Sequence, residues 1–483
     1  MIVSRADVLS VLPEIVLSVA GCLLLMLSAF WPSARRAATP LSLAAVGGYL
    51  AAVERLSGTP SFGGSLDGSM VAGIFGAIFA WSAIVVILSA RPYLERTEAA
   101  GMGSGDGEFH ALLLWSIVGV SLMARGLDLL VIFLGLETFS LCFYVLAAYF
   151  RSVRASAEAG LKYFLTGAFA SSFTLFGIAI LFGKTGTTRI VAVAATNSDA
   201  LLACGVVFLL AGFGFKIALA PFHSWAPDVY AGMPTPAVAF LSVAPKAAAI
   251  VVLFRVLAAL FDGRVPGHLQ AAIAAIAVLS MFLGNLVALA QRDIKRLIAY
   301  SGIAHMGYVA IALAVFGREA FSAATLYLFA YAVTNLGAFA AVAVLFRDEG
   351  APHSIGLLAG LGRRAKLPAF VLALSMISLS GIPATAGFLG KFFVFRAAVA
   401  KGLVWLAVVG VANSLVSLGY YLRVVYTLYM RPSIDEEVPP PVGLTARVAL
   451  LLSAAGVLAI GLYPAPWASV ADLAANLLPH LRP

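Results

Sequence analysis

Charge is scarce in this chain. Asp, Glu, Lys and Arg make up 11% of its 483 residues, whereas a soluble domain carries about 25%. With 62% apolar residues there is too little polar surface to clothe a soluble fold, so an all-α polytopic membrane protein is expected. Cys22, Cys142 and Cys204 are the only cysteines; each lies in an apolar run and none has C-x-x-C spacing. Neither an iron–sulfur cluster, a zinc site nor a disulfide framework is expected, and the three read as apolar core thiols. Long polar segments are missing too: no loop exceeds about two dozen residues, and the GMGSGDG of the 91–108 loop is neither a G-x-G-x-x-G fingerprint nor preceded by a strand. That leaves no place for a nicotinamide, flavin or nucleotide, so no cofactor is expected here and any redox chemistry belongs to a partner. The H-E-x-x-H motif, a Ser/His/Asp set and a dense carboxylate cluster are likewise absent. The net charge of +9 is spread singly between apolar runs rather than gathered in a patch, which reads as topology signals and not as a nucleic-acid surface.

What is present is a series of mainly apolar segments of membrane-spanning length. Fourteen are expected, near 11–31, 37–56, 70–90, 109–124, 127–150, 162–182, 201–226, 236–258, 270–290, 298–316, 322–346, 369–396, 403–429 and 446–465. The first follows Arg5, is longer than a signal-peptide core and lacks a clear cleavage site, so it reads as a retained span. An even number puts both termini on one side. Fifteen loop Lys and Arg then fall opposite the termini, among them Arg35, Arg36, Lys295 and Arg347, and eleven beside them, among them Arg125, Arg255, Arg264 and Arg482. The positive-inside rule therefore favours termini outside.

Five basic residues fit no loop: Lys162, Lys216, Lys246, Lys391 and Arg423; Glu137 also lies within a span, in FLGLETFSL. An ionisable group inside a membrane costs a few kcal/mol even on the insertion scale, and normally faces protein or a hydrated cavity. Lys162 opens its span and Arg423 lies near a span end, where a long side chain can snorkel to the surface. Lys216, Lys246, Lys391 and Glu137 are deeper, and a functional role is the favoured reading. Two of these lysines occur in helix-breaking sequence. Around Lys216 stands GFGFKIALAPFHSWAPDVYAGMPTP, and around Lys391 stands SLSGIPATAGFLGKFF. Such interrupted spans point to a translocation path, because the freed backbone groups need partners at mid-membrane. They are spans seven and twelve, and the five-span offset predicts two related units, the second inverted. The expected division is a three-helix segment at 1–100, units at 101–260 and 261–430, and a C-terminal helix at 431–483.

Proton movement suits these residues. A carboxylate about 6 Å from a lysine, at an effective dielectric near 20, is worth on the order of 3 kcal/mol, comparable with the roughly 2.3 kcal/mol needed to move one charge against 100 mV. Lysine can release a proton and arginine cannot. His223, beside the first break, and His305, near Tyr300, Ser301 and Tyr308, are relay candidates, with a core histidine bonded to a hydroxyl as the alternative. His110, His268, His353 and His480 lie near loops or ends and read as surface residues.

These motifs, with EAGLKYFLTGAFASSF, SVAPKAA, QRDIKRLIAYSGIAHMGY and PHSIGLLAGLGRR, resemble the antiporter-like membrane subunits of respiratory complex I, the proton-pumping NADH:quinone oxidoreductase, and among these paralogues subunit N. The resemblance covers nearly the whole chain. It implies fourteen helices, two inverted five-helix repeats and discontinuous helices seven and twelve. It also implies proton-carrying roles for Glu137, Lys162, Lys216, His223, Lys246 and Lys391, a Glu137–Lys216 charge pair, a bacterial inner membrane, and partner subunits that hold NADH, FMN, iron–sulfur clusters and quinone. Ala384 stands where this family commonly has proline, which puts the shape of the second break in question. The competing readings are a self-contained Mrp-type Na⁺/H⁺ antiporter, a membrane subunit of a related hydrogenase, and a passive membrane spacer.

Overall fold

The computed structural model describes residues 4–31, 37–56, 58–102, 105–190, 200–261, 265–346, 351–433, 442–478 and 481. Helices dominate because hydrocarbon offers no partner for a backbone N–H or C=O, so each must be satisfied within its own segment. Among the described residues eleven helices are long and apolar enough to cross a membrane: Leu12–Phe30, Met70–Ala99, Asp106–Arg125, Leu129–Ala147, Arg154–Thr185, Thr235–Leu260, Gly267–Ala290, Ile294–Val315, Arg318–Leu345, Val404–Met430 and Leu444–Leu462. The shorter apolar helix Ala38–Val53 and two broken helices complete the fourteen spans read from the sequence. Numbered in chain order, span 7 is Ala200–Lys216 followed by Trp225–Gly232, and span 12 is Lys366–Ser380 followed by Ala386–Ala400. A short helix, Ala465–Leu477, follows span 14 and was not legible in the sequence; Ser322 donates to its Asp472 at 2.5 Å.

The inverted relation of the two units is visible in their loops. In the first unit Asp128, between spans 4 and 5, forms a β-bridge with Arg189, between spans 6 and 7; in the second, Asp293 and Ser354 pair between spans 9 and 10 and spans 11 and 12. Each aspartate caps the span that follows, accepting from Leu130 N–H at 2.9 Å and from Arg296 N–H at 2.9 Å, and each also holds the partner loop, through Thr188 Oγ1 at 2.8 Å and His353 N–H at 2.8 Å. The same device recurs five spans later, hence on the opposite side. Close helix approach recurs with it: a Cβ on Gly119 would lie 2.4 Å from Phe139 N, between spans 4 and 5, and one on Gly284 would lie 2.6 Å from Ala304 N, between spans 9 and 10.

Burial is graded from centre to edge. Span 8 is buried along its whole length and span 10 nearly so, whereas spans 1, 6, 13 and 14 turn apolar faces outward, as Phe169, Phe176, Val408 and Leu415 do. Several sequence expectations change here. Cys22 and Cys204 are exposed on outward faces, and only Cys142 is a core thiol. His110 and His353 are buried, because each sits at a helix start packed under neighbouring elements; His268 is exposed, and His480 lies outside the described residues. Arg125, Arg255 and Lys295, counted as loop charges, are buried and bonded, so they do not report topology. Arg35, Arg36, Arg264, Arg347 and Arg482 lie outside the described residues.

Candidate functional site

At the first break, side chains take up backbone groups that lie outside regular helix. Pro221 and a positive φ of 58° at Ala218 end the first half of span 7 just after Lys216. The Phe215 carbonyl accepts from Ala218 N–H at 3.0 Å and also from Trp225 Nε1 at 2.9 Å, and Ala220 N–H donates to Ser280 Oγ of span 9 at 2.9 Å. Lys216 is 4% exposed and donates to Ser140 Oγ of span 5 at 2.7 Å. Glu137 lies three residues before Ser140, half-buried, and accepts from Ser171 Oγ of span 6. Glu137 and Lys216 thus stand within electrostatic reach, each bonded to a serine hydroxyl of its own rather than to one another as a direct ion pair. Their neighbourhood is aromatic: Lys216 Nζ is 5.7 Å from the Tyr144 ring centroid, and Tyr144 packs on Tyr163, which stacks on Trp225.

The second break uses its lysine directly. Gly381 at φ 87° and Ala384 at φ 67° turn the chain out of helix. The carbonyls of Leu379 and Ser380 are left without helical donors, and Lys391 Nζ takes both, at 2.9 Å each, with Ser414 Oγ of span 13 as a third acceptor at 2.9 Å. A proline at 384 could not adopt a positive φ, so this break has a shape of its own. Gly387 is required, since a Cβ there would lie 1.8 Å from Ser378 O.

Between Lys246 and Lys391 runs a row of polar rings. Lys246, on the wholly buried span 8, has its Nζ 5.9 Å from the Tyr331 ring centroid and packs closely on Gly302, where a Cβ would lie 3.2 Å from that Nζ. The Tyr331 and His305 rings are 5.3 Å apart. Tyr327 OH lies 2.6 Å from His305 Nδ1 and Tyr421 OH lies 3.0 Å from Nε2; Tyr421 also bonds Ser301. Tyr308 then packs on His305 and lies 5.1 Å from Lys391 Nζ. A void of about 10 Å³, about the size of one water, lies among His305, Tyr327, Tyr331 and Thr334. Towards Lys216 lie the buried hydroxyls of Tyr331 and Tyr230, which have no hydrogen-bond partner among the described residues, and then Tyr144, beside Ser140 and Ser171.

Two sequence candidates stand apart from this row. Lys162 is half-exposed and pairs with Glu158 and Asp228, each at 2.7 Å, while Asp228 also pairs with Arg296 at 2.8 Å. His223 is half-buried in the connector of span 7. Arg423 has a structural place, donating to the Leu289 and Gln291 carbonyls at the end of span 9. The sequence reading missed Tyr327, Tyr331 and Tyr421, although Tyr327, Tyr331 and Thr334 recur at helical spacing within an apolar span, which was the available signal. It also missed Lys295, fully buried and donating to Met233 O at 2.8 Å, where the second half of span 7 ends. Among the described residues no group of three or more His, Cys, Asp or Glu stands ready for a metal.

Residues 126–417 match the sequence model of the family described as NADH:quinone oxidoreductase/Mrp antiporter, TM. The NADH-quinone oxidoreductase subunit N of Trichlorobacter lovleyi is 41% identical over 482 residues, covering 97% of each chain. The chain belongs to the NADH-quinone oxidoreductase subunit N family. Among solved structures, a chain of respiratory complex I from Thermus thermophilus superposes with a TM-score of 0.79 at 34% identity, over 94% of this chain and 97% of that one. A chain of the Mrp complex from Dietzia sp. DQ12-45-1b reaches a TM-score of 0.82 at 23% identity, over 98% of each, which is a likeness of fold. As a subunit N family member the chain is a multi-pass membrane protein, and both broken helices fall within the matched residues.

Proposed function

We propose that this chain moves protons through the membrane part of a bacterial NADH:quinone oxidoreductase, using Glu137, Lys216, Lys246, His305 and Lys391 as its titrating row, with Lys162 and His223 as accessory members. The observation that carries the reading is the continuity of Lys246, Tyr331, His305, Tyr327, Tyr421, Tyr308 and Lys391 inside an apolar bundle. Hydroxyls and imidazole can pass a proton between amines, and the orphaned tyrosine hydroxyls are sites where buried water is held. Charge on Glu137 favours a protonated Lys216, so a change at Glu137 sends a proton onward with an energy of about the size a membrane potential demands. Electrons pass in partner subunits that hold NADH, FMN, iron–sulfur clusters and quinone. The chain sits in the inner membrane with periplasmic termini, and divides into segments 1–100, 101–260, 261–430 and 431–483.

The test is Lys216→Ala in the assembled complex, reconstituted in proteoliposomes. Acidification driven by NADH oxidation should fall steeply with assembly unchanged; full acidification refutes the reading. Because the Mrp fold is shared, the chain is also expressed alone in a strain without antiporters. Salt-tolerant growth there assigns it to stand-alone exchange instead.

A further inference from the structure

On the side opposite the termini, a cleft of about 510 Å³ opens between the end of span 1, the first half of span 4 and the end of span 5. Its depth is apolar, walled by Leu25, Leu112, Trp115 and Val145, and its rim carries Glu108 and Arg151. The rim lies at headgroup level: Glu108 is in the first turn of span 4, and Arg151 follows the end of span 5 at Ala147. The walls are outward-facing, with Val145 55% and Leu25 37% exposed, and Trp115 is pinned by its Nε1 donating to Ser18 O at 3.3 Å. One feature is unsatisfied within the protein. Glu108 Oε2 is shielded from solvent and has no hydrogen-bond partner among the described residues, which is costly for a carboxylate.

We propose that this cleft seats one zwitterionic aminophospholipid, its phosphate on Arg151, its ammonium on Glu108 and an acyl chain along Leu25, Leu112 and Val145. The rim offers one cation and one anion, which complements a headgroup bearing both signs and disfavours a purely anionic one. A carboxylate at the rim is best met by a cation that carries N–H donors, which phosphatidylethanolamine has and phosphatidylcholine lacks. The apolar depth below the rim takes the chain, with Trp115, about two turns further along span 4 than Glu108, forming its inner wall. A lipid held there seals the seam between the N-terminal helices and the first unit without entering the proton row.

The full chain, purified in detergent and mixed with equal amounts of phosphatidylethanolamine, phosphatidylcholine and phosphatidylglycerol of identical chains, is examined by native mass spectrometry. One phosphatidylethanolamine is retained after the others are stripped. Arg151→Ala and Glu108→Gln each weaken that retention about tenfold, and Val145→Trp, which fills the cleft, abolishes it. Chain-brominated phosphatidylethanolamine quenches a share of the fluorescence that is missing in Trp115→Phe, so the readout does not depend on the rim variants folding. In the assembled complex, wild type carries one more phosphatidylethanolamine than Val145→Trp. Equal retention of the three lipids, preference for phosphatidylglycerol, indifference to these variants, or no difference between the two complexes, as when a partner subunit fills the cleft, overturns the proposal.

Discussion

Lys216 and Lys391 do different structural work. Lys391 satisfies two backbone carbonyls as well as Ser414, whereas Lys216 has Ser140 alone as its hydrogen-bond acceptor among the described residues. Removing Lys391 leaves the buried Leu379 carbonyl without a donor, at about 1–3 kcal/mol, and the Ser380 carbonyl with Ser414 Oγ at 3.3 Å. Lys391→Ala should therefore lower the thermal unfolding temperature of the purified chain clearly more than Lys216→Ala does; equal shifts would show that the second break does not depend on its amine. The lysines, Glu137 and His305 were legible in the sequence because a titratable group stands out in an apolar run. The tyrosines were not, since tyrosine is unremarkable near membrane interfaces and only packing reveals that Tyr327 and Tyr421 converge on one imidazole. The expected Glu137–Lys216 contact was right in neighbourhood and wrong in form, because serine hydroxyls at helical spacing carry no charge signal in sequence.

At the scale of single elements, proline and glycine announced both breaks, and the fourteen-span count followed from length and hydropathy. Their geometry was not announced. Ala384 takes a positive φ of 67°, which costs an alanine about 1 kcal/mol relative to glycine. Ala384→Gly is expected to raise stability by about that amount in thermal unfolding with pumping unchanged, and a loss of stability would mean that the strain is not present. The N-terminal helix Arg5–Ser10 gives a pH test outside the spans. Asp7 accepts from Phe62 N–H at 2.6 Å and from the Ser4 hydroxyl and N–H, and these bonds hold its carboxyl below the usual range. The sign follows: the contact is fully present above the ordinary carboxylate range and is lost as pH falls through the lowered value. Hydrogen exchange at the Phe62 amide should be slow at pH 7 and lose its protection only at pH below the ordinary carboxylate range; pH-independent protection would contradict the assignment.

Across the whole molecule, two buried ion pairs tie the N-terminal helices to the first unit. Arg125 reaches both oxygens of Glu14, at 2.6 and 2.7 Å, and Arg255 pairs with Asp67. Tyr49, Ser121 and Glu14 extend the first pair across spans 2, 4 and 1. Arg125 and Arg255 were read as loop charges because sequence places them near span ends, and only the fold shows the carboxylates they face. Removing one partner strands a buried charge, so Arg125→Ala should destabilise the chain by about 3–5 kcal/mol, whereas breaking the exposed Arg91–Glu95 pair should cost under about 1 kcal/mol. Comparable small losses would place solvent around Glu14. Asp228, shared by Lys162 of the first unit and Arg296 of the second, links the units at their surface.

The central claim is that buried amines and the rings between them form one proton path, and Lys246 is its midpoint. The most direct measurement is the number of protons released per NADH oxidised by proteoliposomes carrying the Lys246→Met complex, which keeps the length and burial of the side chain and removes the titrating amine. The account predicts that the ratio falls below that of wild type with the complex fully assembled. An unchanged ratio would contradict it.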